Sequence, residues 1–417
     1  MSRYRIILSF IMIFHFSIGS LYAKQIQFIS EDELIIQGLL YEEYKAFDRS
    51  RVVFGKLYDN TGDKVYLFRE VTASLMSKTN INESIKRLKI WDNAHPNTLE
   101  VKRLLIPLYL TANDILKAKT EAECLLERSN EVLDLELASN PFLYLGEFQR
   151  ALSLLGKVYK QTSNEAVLMR MAIIMDEYTD ERTQAIQLLE IHRRMNIADN
   201  TLYFKLLELY IKENNIDGLL SIYKVLYEEE KDEQYLHKII DTYAYKRDAY
   251  GAIKFLEESG EGKDILYELY KREKFFTKAL MLTDVLYKEQ KDAKWIAEKG
   301  VLTFEKSDNK NDRKMIEKVV SYFEKAIKMG IDDSMYLNYY GYTLIDKEIN
   351  IPRGIEIIKS ALVQQPNNTY YLDSLAWGYY KENKCDKAYA TMEIVVKEEG
   401  LKEAEIIEHW SMIQKCK

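Results

Sequence analysis

Histidines, cysteines and clustered carboxylates are the side chains through which this chain could bind a metal, attack a substrate or move a proton. Beyond residue 23 there are four histidines, His95, His192, His237 and His409. No His-Glu-x-x-His run or other metal-spaced pair occurs among them. His192 and His409 fall at packing positions, and His95 lies in a turn before Pro96. Phosphate loops, serine-nucleophile elbows and kinase signatures are missing too. No catalytic residue, metal site or cofactor is assigned, and an enzyme is not expected. Cysteine use is sparse, with Cys124, Cys385 and Cys416. The 66 Asp and Glu outnumber 59 Lys and Arg for a net charge of −7, and the basic residues are interspersed with acidic ones. Nucleic acid, which needs a concentrated basic surface, is therefore not expected as a ligand.

The elements that would have to position any site are written in a repeat. Small residues recur at Ser50, Ser84, Ala118, Ala151, Ala185, Leu219, Ala252, Ala279, Val319, Gly354 and Ala388. A mostly aromatic series keeps the same beat: Tyr41, Leu75, Tyr109, Phe142, Asp176, Tyr210, Tyr243, Tyr270, Phe304, Leu344, Tyr379 and Ile413. Most steps are 33 to 35 residues, interrupted by one of 27 and one of 40 in the first series. Only 5 Pro and 16 Gly punctuate 417 residues, which fits helices joined by short turns. In Thr369 to Lys402, Leu372, Leu375, Ala376 and Tyr379 form one stripe at helical spacing. Ala388, Met392 and Val395 form the facing stripe, Asn383 and Lys384 the turn between, and Gly400 the end.

This layout resembles the tetratricopeptide repeat, with bulky, Leu-Gly, Tyr, Ala, aromatic, Ala and Pro positions in order. One unit supplies Leu337, Tyr340-Gly341, Leu344, Gly354, Ile358, Ala361 and Pro366. The first unit supplies Leu34, Gly38, Tyr41, Ser50, Phe54, Leu57 and Gly62, and the second Phe68, Leu75, Ser84, Leu88, Trp91 and Pro96. The resemblance covers residues 31–417 and implies an all-α fold, a right-handed α-α superhelical solenoid. About eleven helical hairpins are expected, with 403–417 as a C-terminal capping helix. The short step predicts a truncated helix and a kink near Glu257 to Gly262, and the long one a protruding polar turn over Lys306 to Asp312. These irregularities suggest a division into repeats 31–259 and 260–402.

In the family resembled, the first helix of each unit lines the concave surface and its ninth position points into the groove. Carried onto this register, that places Glu208, Asp241 and Glu268 in an acidic row, with His237 and Asp264 one turn earlier. Such a row either holds a basic peptide or divalent ion, or is a solvated helix face. The same positions farther on give Tyr342 and Trp377, joined by Tyr370, Tyr380, Asp346 and Asp373. These rings either form a partner-binding patch or pack between repeats. The Lys and Asn pattern by which some family members clamp a C-terminal carboxylate is missing.

Cys385 and Cys416 fall at the same edge of neighbouring units, and either pair, pinning the cap, or stay as two thiols. Closing that loop would stabilise by about 3 to 4 kcal/mol in the chain-entropy account. Cys124 lies too many repeats away to join them. At the N-terminus, Arg3 and Arg5 precede an apolar run from Ile6 to Ile18 and a Leu21-Tyr22-Ala23 triplet. Residues 1–23 read as a secretory signal cleaved after Ala23, with 24–30 as a lead-in. The run is short for a membrane span, and no second one follows, so no transmembrane segment is expected in the mature chain. A periplasmic protein is expected, acting as a non-enzymatic scaffold or assembly factor that binds a protein or peptide of the cell envelope. The alternative is a structural subunit of an envelope or motor assembly, held by edge and convex contacts.

Overall fold

The computed structural model describes residues 30–96, 98–196 and 198–416, so the expected signal and most of the lead-in lie outside it. Two compact units divide the chain, Met1–Glu213 and Asn214–Lys417. The irregular step near residue 260 falls inside the second.

In the first unit, helices pair as α1 (Glu31–Glu43) with α2 (Phe47–Thr61), α3 (Lys64–Ser77) with α4 (Ile81–Ala94), and α5 (Leu99–Thr111) with α6 (Ile115–Leu126). α7 (Val132–Tyr144) and α8 (Phe148–Thr162), then α9 (Glu165–Glu177) and α10 (Arg182–Met195), continue the series to α11 (Asn200–Lys212). The second unit holds α12 (Ile216–Glu230), then α13 (Glu233–Tyr245) with α14 (Ala249–Ser259) and α15 (Lys263–Arg272) with α16 (Phe276–Gln290). α17 (Lys294–Lys306) with α18 (Arg313–Lys328), α19 (Ser334–Asp346) with α20 (Ile351–Gln364), and α21 (Thr369–Lys381) with α22 (Cys385–Glu399) follow, and α23 (Ala404–Cys416) ends the array.

Local chemistry starts and stops these helices. Asp63, Asn164, Asp199, Asp232, Asp312, Asp333 and Asn368 each accept a backbone N–H of the helix they precede. Ser30 and Glu33 form a reciprocal capping box at α1. Inside the hairpins, the turn takes a left-handed residue at Lys45, Lys78, Asn113, Gly146, Asp180, Asn214, Arg247, Lys274, Glu348 and Asn383. This third series keeps the repeat's beat, yet only one member is glycine. It breaks between α17 and α18, where Ser307 to Asp312 form the expected polar turn. There Lys310 Nζ donates to the carbonyls of Phe304 and Glu305, at 2.7 and 2.9 Å.

The small-residue series marks where paired helices touch. Ser50, Ala118, Ala151, Ala185, Ala279, Val319 and Ala388 are fully buried. α19 and α20 cross closely, and a Cβ on Gly354 would stand 2.6 Å from the carbonyl oxygen of Gly341. Leu219 is the exception: it is half-buried and its neighbour Leu220 packs instead. The 27-residue step is absorbed by both its helices, with α14 reduced to 11 residues and α15 to 10.

The last hairpin shows the core rule in full. Ala376, Ala388, Met392 and Val395 are fully buried with Ile406 and Ile413 of α23, while Leu372 and Tyr379 pack half-buried around them. Among the described residues, no helix is long and apolar enough to cross a membrane.

Candidate functional site

The aromatic patch is built on α19 and α21 and is not an open surface, because α23 lies against it. Asp373 and Trp377 are 7 % and 6 % exposed. Nδ1 of His409 donates to the Asp373 carboxylate at 3.0 Å, and both groups are buried. The His409 ring stacks on Trp377, centroids 4.1 Å apart at 16°, and Trp377 stacks in turn on Tyr380 at 4.9 Å. Tyr342 donates its hydroxyl to Glu405, 63 residues farther on. Burial, and then that carboxylate, push the Tyr342 hydroxyl well above its usual range. Tyr380 reaches the thioether of Met412 at 3.7 Å. Tyr342, Asp373, Trp377 and Tyr380 are thus brought together, and Asp346 flanks them in a pair with Lys347 at 2.9 Å. Tyr370 stands apart: 61 % exposed, it lines a separate groove of about 590 Å³ with Asn367, Ile394 and Glu398.

One donor in this cluster has no partner. Nε1 of Trp377 is buried and makes no hydrogen bond. At the edge of the cluster, Cys385 at the start of α22 and Cys416 at the end of α23 are joined as a disulfide, Cα atoms 5.5 Å apart. Cys124 is free.

The acidic row does not form one constellation. Glu208 lies in the first unit, held by Lys205 at 3.0 Å and Lys212 at 2.6 Å. In the second unit His237 faces Glu233 at 3.7 Å, and Asp264 accepts from Gln290 at 3.0 Å. Both line a groove of about 900 Å³ beside the shortened α15. Glu268 lines another of about 600 Å³, floored by Ile240, Ile265 and Leu269. Asp241 is exposed on α13. Among the described residues, no group of three or more His, Cys, Asp or Glu is arranged to hold a metal ion.

Two buried polar centres were not foreseen. Asp176, the charged member of the aromatic series, accepts from Arg182 at 2.7 Å, Lys212 at 2.6 Å and Lys205 at 3.2 Å. Burial opposes its ionisation, but those three donors outweigh it and hold the carboxyl at about 2. On α17, Glu298 is 1 % exposed and accepts from Tyr267 of α15 at 2.5 Å and Tyr336 of α19 at 2.6 Å, with Lys271 at 2.9 Å. Burial, then Glu298 itself, raises both tyrosine hydroxyls. One carboxylate so ties three successive first helices.

This explains part of the tyrosine excess. Tyr210, Tyr270 and Tyr340, each on a first helix, donate to Glu190, Glu257 and Glu324 on the second helix before it, at 2.6, 2.6 and 2.7 Å. These hydroxyls serve packing between repeats.

Exposed apolar side chains occur elsewhere. On α9 and α11, Ile173 is 40 % and Phe204 52 % exposed. Ile173 lines a groove of about 770 Å³ with Met169, Ala166 and Arg170. Ile173 is the ninth residue of α9.

Helical hairpins repeating at about 34 residues, closed at their crossings by small side chains, define the chain as an all-α helical-repeat solenoid whose period is that of the tetratricopeptide repeat. Among solved structures it is similar to the Cut9–Hcn1 hetero-tetramer of the APC/C, at 11 % identity over 92 % of this chain and 96 % of that one, TM-score 0.37. It is similar also to YrrB, described as a TPR protein with an unusual peptide-binding site, at 11 % over 45 % and 96 %, TM-score 0.34. A tetratricopeptide repeat protein from Parabacteroides merdae matches at 13 % over 75 % and 98 %, TM-score 0.31. Nothing about partners follows from likenesses at this level. No protein-family model and no curated protein matches the chain.

Proposed function

We propose that the chain is an exported, non-enzymatic scaffold or assembly factor of the cell envelope, and that it binds a partner protein along the groove face of its first helices. The observation that carries the binding half is the exposure of Ile173 and Phe204 on two successive first helices, α9 and α11. A β-branched side chain half in water that shares a groove with Arg170, and a bulky aromatic half in water on the next first helix, are what a buried interface centre uses. Export is supported by the basic and apolar run before Ala23 and by the Cys385–Cys416 pair, a bond that persists in oxidising compartments.

The test is capture of envelope partners by the full-length chain and by the variant Ile173→Asp/Phe204→Asp. Two charges on an exposed face leave the hairpin core untouched. Loss of one or more partners with unchanged circular dichroism supports the reading. Retention of every partner contradicts it.

A further inference from the structure

We propose that the face around Asp373 and Trp377 is a helix-binding site whose present occupant is the chain's own α23, and that the Cys385–Cys416 disulfide controls whether another helix can replace it. This rests on the partner-binding reading above and adds the regulation of one face.

The contacts of α23 exceed what an end cap requires. A cap needs an apolar stripe beneath a polar outer face, and Ile406 and Ile413 provide one. α23 additionally places one imidazole, that of His409, both on the buried Asp373 carboxylate and over the Trp377 ring, and the Glu405 carboxylate on the Tyr342 hydroxyl. These are the side-chain-specific bonds of a docked helical ligand.

The fit is nonetheless incomplete. Nε1 of Trp377 is buried with no acceptor, and a groove of about 430 Å³ lined by Tyr380, Lys381, Met412 and Lys415 runs along the edge of α23. A buried donor without a partner is unfavourable. A helix that brought an acceptor to the indole, with the rest of the pattern kept, would satisfy this face better than α23 does. The fitting partner is an amphipathic helix with an imidazole or cation toward Asp373, apolar residues three and four positions either side, and a carboxylate toward Tyr342.

Covalent attachment holds the weaker ligand in place. α23 follows α22 after a short connection at Gly400, and the disulfide fixes its far end. A dithiol reductant opens that end. One of its thiolates attacks Cys416 Sγ, and Cys385 leaves as a thiolate and takes a proton. The second thiol then closes the reductant into a cyclic disulfide and releases Cys416 as a thiol. Two electrons and two protons pass to the protein. α23 is then tethered at one end only and open to competition.

The probe is a fluorescein-labelled peptide with the sequence of Ala404–Lys415, titrated by anisotropy onto the oxidised full-length chain and onto the full-length variant Cys416→Ser/Ile413→Glu, whose cap cannot dock. Binding to the variant at least about tenfold tighter than to the oxidised chain, abolished by adding Asp373→Asn and Trp377→Ala, is the expected result. Equal binding to both, or none to a variant with native circular dichroism, overturns the proposal. Should the variant not fold, amide exchange in the wild-type chain decides. Protection of α23 that falls on dithiol treatment supports the latch, and protection unchanged by it overturns it. The latch can fail while partner capture still depends on Ile173 and Phe204, and the reverse outcome is equally readable.

Discussion

The indole of Trp377 lies parallel to the imidazole of His409, ring centroids 4.1 Å apart, while the same imidazole donates to Asp373 at 3.0 Å. A residue expected to face a partner is thus engaged by the chain's own last helix. His409→Ala should remove the stack and leave a buried carboxylate without its donor, a local cost of about 1 to 3 kcal/mol. Amide exchange across 404–416 should rise, with none in the first unit.

Asp176 should behave as the electrostatic keystone of α9, α10 and α11. Asp176→Ala removes the carboxylate shared by Arg182, Lys205 and Lys212 and leaves Lys205, which is 7 % exposed, with Glu208 alone, at a cost of about 1.5 to 3 kcal/mol, measured by urea denaturation of the chain. The folded carboxyl at about 2 lies below its ordinary 3.8, so its contribution is fully present above that ordinary value. It should be lost as pH falls from about 4 to 2, removing about 2 kcal/mol. Stability rising over that fall would contradict the assignment.

Two glycines separate contact from propensity. An Ala methyl at Gly341 would meet Ile358 at 2.6 Å and the Gly354 carbonyl oxygen at 2.9 Å, whereas at Gly156 it meets only Met171 at 3.8 Å. Gly341→Ala should therefore destabilise by about 1 to 3 kcal/mol. Gly156→Ala, relieved of glycine's entropy in mid-helix, should be neutral or stabilising by about 0.5 to 1 kcal/mol. Thermal denaturation of the two variants against wild type checks both signs.

Export predicts a mature N-terminus at Lys24. Mass spectrometry of the protein isolated from its native cells should find no peptide from residues 1–23. Recovery of an intact Met1 terminus would remove the export reading and leave the disulfide without its expected compartment.

The helix pairs were legible because burial imposes a period on small and apolar residues, and the 23 helices of the described residues, ending in a terminal helix, follow from it. The irregular steps were legible for the same reason. The left-handed turn series was hidden, since Lys45, Arg247, Lys274 and Glu348 carry no glycine signature and adopt positive φ because both flanking helices dictate it. Asp176 did carry a signal, a charge where its series has rings, but its partners lie 6 to 36 residues away. Glu298 had none, because its three donors come from two other hairpins. The covering of Trp377 could not be read either: its place in the repeat is the same whether or not a helix lies over it, and only the placement of α23 shows that one does.

The central claim, that first-helix faces hold the partner, is tested most directly by photo-crosslinking in the native envelope. A photoreactive residue is placed at Ile173 or Phe204 on first helices, at Ile90 or Ile191 on second helices, or at Asn309 in the polar turn. Adducts to a common partner from 173 and 204, with none from the other three, are the predicted result. Adducts only from Ile90, Ile191 or Asn309 would contradict it and favour a subunit held by its edges.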